Sequence, residues 1–190
     1  MTETICLTTQ PIDEIDEDQR LVLAAQQNPA DFKILYLKWL KPVYRYFYSR
    51  VHDEKDAEDL TSQVFLRTYQ DLPRFRHQGS FPAWLFTIAH ARAVDFYRKG
   101  KKELPLEQVD LEYPASDLLS LTIKSEETVR VNQLITMLSE DDRELIRLRY
   151  AANLSYREIG LILNRKEDAV RKSITRLLVR LSTKLEEDHD

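Results

Sequence analysis

"LSYREIGLILNRKEDAVRKSITRLLVRL", residues 154–181, decides what kind of fold this chain adopts. Ser155 and Glu158 form an S-x-x-E capping box, in which each side chain satisfies the other's backbone N–H, so a helix starts at Ser155. Ile159, Ile162 and Leu163 make its apolar stripe. Gly160 costs about 1 kcal/mol in a helix interior, which predicts that another helix crosses closely there. Asn164 tolerates the left-handed conformation and is the expected stop. A few residues on, Val170, Ile174, Leu177 and Leu181 recur at i, i+4, i+7 and i+11, the single buried face of a second helix. With that face inward, Lys172, Arg176 and Arg180 repeat along an outer flank, and Arg171 and Thr175 line a parallel row. Glu167 and Asp168 occupy the first turn, where they favour the helix dipole. Two helices joined by a short turn, the second rich in bases, make a helix-turn-helix pattern. The planar donor fork of arginine suits guanine edges and phosphates. The same charges also fit a plain solvated face, and this stretch alone leaves that reading open.

The bulk of the chain bounds the answer further. At 190 residues and 22.5 kDa it has room for one ordinary domain or two small ones. A hydrophobic fraction of 43% with 32% charged residues is that of a globular chain. With only three glycines and no proline after Pro114, tight turns are scarce, so the fold class is all-α. The single cysteine, Cys6, excludes an internal disulfide or a cysteine-built zinc site in a monomer. No apolar run approaches the roughly twenty residues of a membrane span. The start, "MTETICLTTQPIDEIDED", lacks the basic opening and apolar core of a signal peptide, so a cytoplasmic protein without membrane insertion is expected. The net charge of −4 argues against indiscriminate nucleic-acid binding, yet the acids crowd tails and connections while bases gather in two patches.

Along the chain, residues 1–17 read as an acidic tail and 18–102 as a helical domain. Its helices are "DQRLVLAAQQN", "ADFKILYLKWLKPVYRYFYSRV" with a kink or break expected at Pro42, "DEKDAEDLTSQVFLRTYQDL" and "FPAWLFTIAHARAVDFYRK". Residues 103–125, proline-containing and acidic, read as a flexible linker. Residues 126–190 form a second small helical domain that holds the helix-turn-helix.

"DAEDLTSQVFLRTYQDLPRF", then "FPAWLFTIAHARAVDFYRK", then the helix-turn-helix, in that order, resemble an extracytoplasmic-function sigma factor, the shortest branch of the sigma-70 family of bacterial RNA polymerase. The resemblance covers about Asp18 to Leu185. It implies that Asp56, Asp59, Leu60, Gln63, Val64 and Arg67 dock on the core polymerase, a mixed polar and apolar strip that suits a groove between charged helices. It implies that the loop "RFRHQGS" and the helix after it melt and hold the −10 element. Opening a duplex without ATP needs an aromatic wall, a place for an unstacked base and cations for the freed strand. Phe81 and Trp84 would supply the wall, although a tryptophan in this position is more often core than stacking platform; Arg76, His77, Gln78 and Ser80 would bond the base; His90, Arg92, Arg98 and Lys99 would hold phosphates. The second domain would read the −35 element with Arg165, Lys166, Glu167, Arg171, Lys172, Thr175, Arg176 and Arg180. Ala91 stands where many members carry asparagine, and Lys166 to Ala169 replace the small polar residues that often open the recognition helix, which suggests a non-standard upstream promoter element. An anti-sigma factor is a further partner implied by the family.

The expected function is therefore a sigma factor that directs promoter-specific initiation, binds core polymerase and promoter DNA, uses no cofactor or metal and catalyses nothing itself. Two alternatives stay open at this point: a sigma mimic that sequesters an anti-sigma factor, and a helix-turn-helix regulator, which would leave the first domain unexplained. His52, Asp53, Asp56 and Asp59 are close in sequence, and hard cations want clustered carboxylates. No second carboxylate motif or phosphate-cradling glycine loop accompanies them, so nuclease chemistry is not expected.

Overall fold

The computed structural model describes residues 16–76, 80–100 and 126–187. Among these, every regular element is helical. The amino-terminal unit contains α1 (Glu17–Gln27), α2 (Phe32–Val51), α3 (Glu54–Asp71) and α4 (Phe81–Gly100), with 3₁₀ turns at Pro29–Asp31 and Leu72–Arg74. The carboxy-terminal unit contains α5 (Glu126–Thr136), α6 (Glu140–Ile146), α7 (Tyr156–Ile162) and α8 (Glu167–Glu187). The expected acidic tail up to residue 15 and the linker 103–125 lie outside the described residues.

Local chemistry sets the helix starts. Asp53 accepts the Asp56 N–H at 2.8 Å and caps α3, and Ser139 accepts the Asp142 N–H at 3.2 Å and caps α6. Asp53 is thereby committed to a cap. Ser155 and Glu158 form the expected capping box of α7, the Ser155 N–H bonding Glu158 Oε2 at 2.8 Å and the Glu158 N–H bonding Ser155 Oγ at 3.3 Å. α2 ends at His52, which sits left-handed at φ 54°.

Pro42 does not interrupt α2, which runs unbroken from Phe32 to Val51. An interior proline removes one backbone hydrogen bond and costs about 3 kcal/mol. Packing on both sides of it supplies the offset: Leu35 before it and Val43, Tyr46 and Phe47 after it are all fully buried, and each such side chain contributes about 1.5–3 kcal/mol. α6 does not continue as a regular helix: at Arg147–Ala151 it passes into a π turn, closed by the Ala152 N–H on the Arg147 carbonyl at 3.0 Å. Asn153, left-handed at φ 57°, ends it.

The two units do not stand apart. One apolar cluster runs from Val22, Leu35, Phe47, Val64 and Phe86 in the first to Leu145, Leu148, Ile159, Val170 and Ile174 in the second. α4 packs on α7, and α2 packs on the π turn.

Gly160 is explained differently from the sequence expectation. The close approach comes from the turn into α8 and its first residue: a Cβ on Gly160 would meet the Arg165 carbonyl oxygen at 2.6 Å and the Glu167 N at 3.5 Å. Asn164 turns left-handed at φ 52° and the Arg165 N–H bonds the Gly160 carbonyl at 2.8 Å, a Schellman closure that folds the chain back over its own helix. Gly→Ala in an ordinary helix interior stabilises by roughly 0.5–1 kcal/mol. At this position backbone would have to move, so Gly160→Ala should destabilise by about 1–3 kcal/mol, read as a lower midpoint in urea unfolding.

Candidate nucleic-acid interface

α8 divides cleanly into two faces. Val170, Ile174 and Leu177 are fully buried, while Arg171, Lys172, Thr175, Arg176 and Arg180 are exposed on the other side. Arg165 and Lys166, just ahead of the helix, are exposed, and Glu167 is half-buried. Several of these bases are held in place. Arg171 Nη2 bonds Glu167 Oε1 at 2.6 Å, and its guanidinium lies 5.6 Å from the Tyr156 ring centroid, which also carries Arg149 at 4.8 Å. Arg165 Nη2 donates to Ser173 Oγ at 2.7 Å, Arg176 Nε to the Lys172 carbonyl at 3.3 Å, and Arg180 lies 3.7 Å from Asp142. Exposed pairs of this kind contribute about 1 kcal/mol or less. They orient the bases yet yield readily to a phosphate. Glu167 is engaged by Arg171, so its availability to a cytosine depends on breaking that pair. Tyr156 went unnoticed in the sequence because its role depends on two arginines brought to it by the turn.

A second group surrounds the start of α4. Ser80 caps the first turn through the Ala83 N–H at 3.4 Å. Phe75, Phe81 and Trp84 form an aromatic trio, with Phe75 and Trp84 centroids 4.6 Å apart and Phe81 and Trp84 5.8 Å apart. Phe81 is 3% exposed, so it is a buried support and not an open wall; Trp84 is half-buried. A cavity of about 340 Å³ opens beside Trp84, lined by Arg74, Arg76, Ser80, Thr87 and, from α7, Leu161. His77 and Gln78 lie outside the described residues, as does the Lys99 side chain. Thus Arg76, Ser80 and Trp84 converge on one cavity, while Phe81, His90, Arg92 and Arg98 do not line it. His90 turns into the junction between the units, and Arg92 is half-buried. Arg98 pairs with Asp95 at 3.1 Å, about 21 Å along the helix from Trp84 at 1.5 Å per residue.

On α3, Asp59, Gln63 and Arg67 are exposed and Asp56 is half-buried. Arg67 Nε pairs with Asp71 at 2.5 Å. Leu60 is 4% and Val64 0% exposed, so these two belong to the core and back the exposed strip from beneath. The exposed apolar residue of α3 beside that strip is instead Leu66, 60% exposed. Sequence periodicity located the stripe but not which of its leucines would be left outside.

The largest omission of the sequence reading is the buried ionic junction between the units. Glu144 is 4% exposed. Its Oε1 accepts from Tyr46 Oη at 2.7 Å and lies 2.7 Å from His90 Nδ1; its Oε2 lies 3.1 Å from Arg50 Nη1. Arg50 also donates to Tyr46 Oη at 2.8 Å and to Glu140 at 3.2 Å. Arg147 bonds Glu140 at 2.6 Å and the Ser49 carbonyl at 3.2 Å. The Tyr97 hydroxyl donates to the Arg50 carbonyl. Burial alone would raise the Glu144 carboxyl, but the His90 bond, the Arg50 charge and the Tyr46 bond outweigh it and hold it below the usual carboxylate range. Burial, followed by the Glu144 charge, pushes the Tyr46 phenol well above its ordinary value. Burial, with Arg147 and Arg143 nearby, lowers His52.

These features match known proteins. A family model for "Sigma-70 region 2" matches residues 35–103, and one for "Sigma-70, region 4" matches residues 128–181. The "ECF RNA polymerase sigma factor BldN" of Streptomyces coelicolor is 31% identical over 173 residues, 88% of this chain and 66% of that protein, so the chain spans just under two thirds of its length. The "ECF RNA polymerase sigma factor SigM" of Bacillus subtilis is 30% identical over 152 residues, 77% of this chain and 90% of that one. Among solved structures, the sigma factor RpoE in complex with the anti-sigma factor NepR from Bartonella quintana superposes with a TM-score of 0.64 at 25% identity, over 82% of this chain and 97% of that one. The chain belongs to the extracytoplasmic-function branch of the sigma-70 family, and is an RNA polymerase sigma factor. Among the described residues, no helix is long and apolar enough to cross a membrane.

The junction gives the fold a pH dependence of definite sign. His52 and Glu144 both have folded-state pKa values below their unfolded ones. The unfolded chain therefore binds more protons on the acid side, and stability falls as pH falls. The His52 contribution is complete above the ordinary histidine value of 6.5 and is lost as pH drops below it; the Glu144 contribution is lost further down, below the usual carboxylate range. Melting temperature should fall progressively on acidification below about pH 6.5. His52→Asn, which tolerates the left-handed backbone, should remove the upper part of that fall, as followed by circular dichroism.

Proposed function

We propose that this sigma factor binds core polymerase through the exposed strip of α3, holds the melted −10 strand at the Arg76, Ser80 and Trp84 cavity, and reads the −35 element with α8 in the major groove. The observation that carries the reading is the face of α8 opposite Val170, Ile174 and Leu177. It is a basic row on an exposed helix that follows a closed turn, within a chain of net charge −4. A mimic that only occupied an anti-sigma factor would need no such row. Arg171 and Arg176 carry the donor fork that guanine edges accept, and Lys166 and Lys172 suit phosphates. The cavity beside Trp84 combines an aromatic face with two arginines, the pairing that an unstacked base and its backbone require.

The work done is binding, not chemistry: no step in promoter opening requires a reacting side chain from this chain. An anti-sigma factor is a partner supported by the RpoE relative, whose solved complex contains one. The cytoplasm, where the polymerase works, is the matching location.

Run-off transcription by purified bacterial core polymerase on genomic promoter fragments tests the reading. Arg176→Ala should lower promoter affinity by about 5- to 150-fold, the equivalent of 1–3 kcal/mol, and relax specificity within the −35 element. Lys172→Ala should weaken binding evenly across sequences and reduce the salt slope by about one unit. Gln63→Ala should lower affinity for core polymerase while leaving the isolated chain's melting temperature unchanged. Transcription indifferent to Arg176 and Lys172 together would remove α8 from promoter recognition.

A further inference from the structure

The turn between α7 and α8 gathers one aromatic ring and three charged side chains. Tyr156, the first residue of α7, is half-buried, with its ring packed on the edge of the core. The Arg149 guanidinium lies 4.8 Å from the ring centroid and the Arg171 guanidinium 5.6 Å. Arg149 is tied down by its Nη1, which donates to the Leu154 carbonyl at 2.7 Å. Arg171 is exposed on α8, yet its Nη2 is held by Glu167 Oε1 at 2.6 Å. The backbone leaves this arrangement little freedom. The Arg165 N–H on the Gly160 carbonyl at 2.8 Å sets where α8 starts relative to α7. Val170 and Ile174, both fully buried, set the rotation of α8 around Arg171. Arg176, by comparison, meets the Lys172 carbonyl of its own helix at 3.3 Å and has no ring against it among the described residues.

A long arginine loses side-chain freedom when it docks on a base edge, and holding it ready in the free protein reduces that loss. Bidentate recognition of guanine O6 and N7 depends on the plane of the guanidinium. A phosphate contact positions the helix and reads no sequence. The ring and the carboxylate restrain Arg171 in different ways. Glu167 occupies N–H donors that a guanine would need. A ring engages the face of the guanidinium and leaves its N–H edges available. Tyr156 therefore goes on steering Arg171 after the Glu167 pair gives way to a base.

We propose that Tyr156 is a positioning residue for promoter specificity: its ring holds the Arg171 guanidinium in the plane required to read one guanine of the −35 element. Discrimination at that base pair is then set from α7, the helix before the one that enters the groove. Arg149 keeps the ring in place when Arg171 moves onto DNA, and Arg176, without such a platform, is ordered by the DNA itself. The inference rests on the reading of α8 as the −35 helix given above.

Two measurements test it. In the free full chain, the Arg171 side-chain proton signals should be shifted upfield by the ring, and its Nε–H should be more ordered by nitrogen relaxation than that of Arg176. Tyr156→Leu should abolish both differences and Tyr156→Phe should preserve them. Holoenzyme reconstituted with core polymerase is then titrated onto a promoter recovered by run-off transcription and onto each single-base variant of its −35 element. Arg171→Ala marks the base pair that Arg171 reads by flattening the preference there. Tyr156→Leu should cut discrimination at that same pair by roughly 2- to 5-fold, the weight of an exposed cation–π contact, with the other pairs unchanged. Tyr156→Phe should keep it, and in an Arg171→Ala background Tyr156→Leu should change nothing at that pair. An unaltered profile, an even loss across all variants, or a Phe variant as defective as the Leu one overturns the proposal. So does a wild-type Arg171 no more ordered than Arg176, a result that needs no variant to fold. Failure of the −35 reading has a different signature: Arg171→Ala, Lys172→Ala and Arg176→Ala would all keep the wild-type profile, and the proposal would fall with it.

Discussion

The Glu144 carboxylate, buried where two helical units meet, is the constraint around which the rest of the chain is arranged. A charge in that position requires bases within reach, and the fold supplies Arg50 and His90 from one unit and Arg147 from the other. Arg50 comes from the last turn of α2, where Tyr46, Phe47, Tyr48, Ser49 and Arg50 are all buried, an unusual run for the end of a helix. It is so because the π turn after α6 lies across them. That turn exists to place Arg147, which reaches the Ser49 carbonyl and Glu140 in the same step. The hydroxyl of Tyr97 fixes the Arg50 backbone from α4. Remove the carboxylate and each of these positions loses its reason.

The same economy of charge explains how an acidic chain presents a basic face. Many of its acids are used internally. Glu140 and Glu144 are taken by Arg50 and Arg147, Glu158 by Ser155 and Ser80, and Asp142 faces Arg180. Around α8 the field a DNA backbone meets is then set by the exposed bases, with Glu167 partly neutralised by Arg171. Net charge describes solubility and long-range steering, while recognition depends on what lies within a Debye length of about 8 Å. A formal charge of −4 and a cationic helix are compatible on those terms.

How much of this could be read from the sequence follows from the range of the interactions. The Ser155–Glu158 capping box, the left-handed Asn164 and the Val170, Ile174, Leu177 stripe involve residues within a turn or two of each other, and all were legible. The all-α class followed from scarce glycine and clear helical periods. Interactions between distant segments were not legible. The pairing of Arg50 with Glu144 spans about half of the chain, and nothing in "DDREL" distinguishes a glutamate that will be buried from one that will be solvated. Leu60 and Val64 lay on a helix read correctly, yet which side of it the neighbouring α2 would cover is a tertiary fact. Gly160 signals a close approach in the sequence, and the structure supplies it from the turn at Arg165 and the first residue of α8, a few residues on rather than from a distant helix.

The aromatic trio shows why the −10 surface cannot be treated as a list of independent contacts. Phe81 is almost wholly buried, and its ring supports Trp84, which is tilted against Phe75 on the other side. Trp84, half-buried and flanked by both rings, is restrained in its rotamers, so a base stacking on it loses little to side-chain ordering. A substitution at any one of these positions therefore acts through its neighbours: Glu158 accepts the Ser80 hydroxyl at 2.6 Å, and Leu161 of α7 lines the same cavity as Trp84, Arg74 and Arg76.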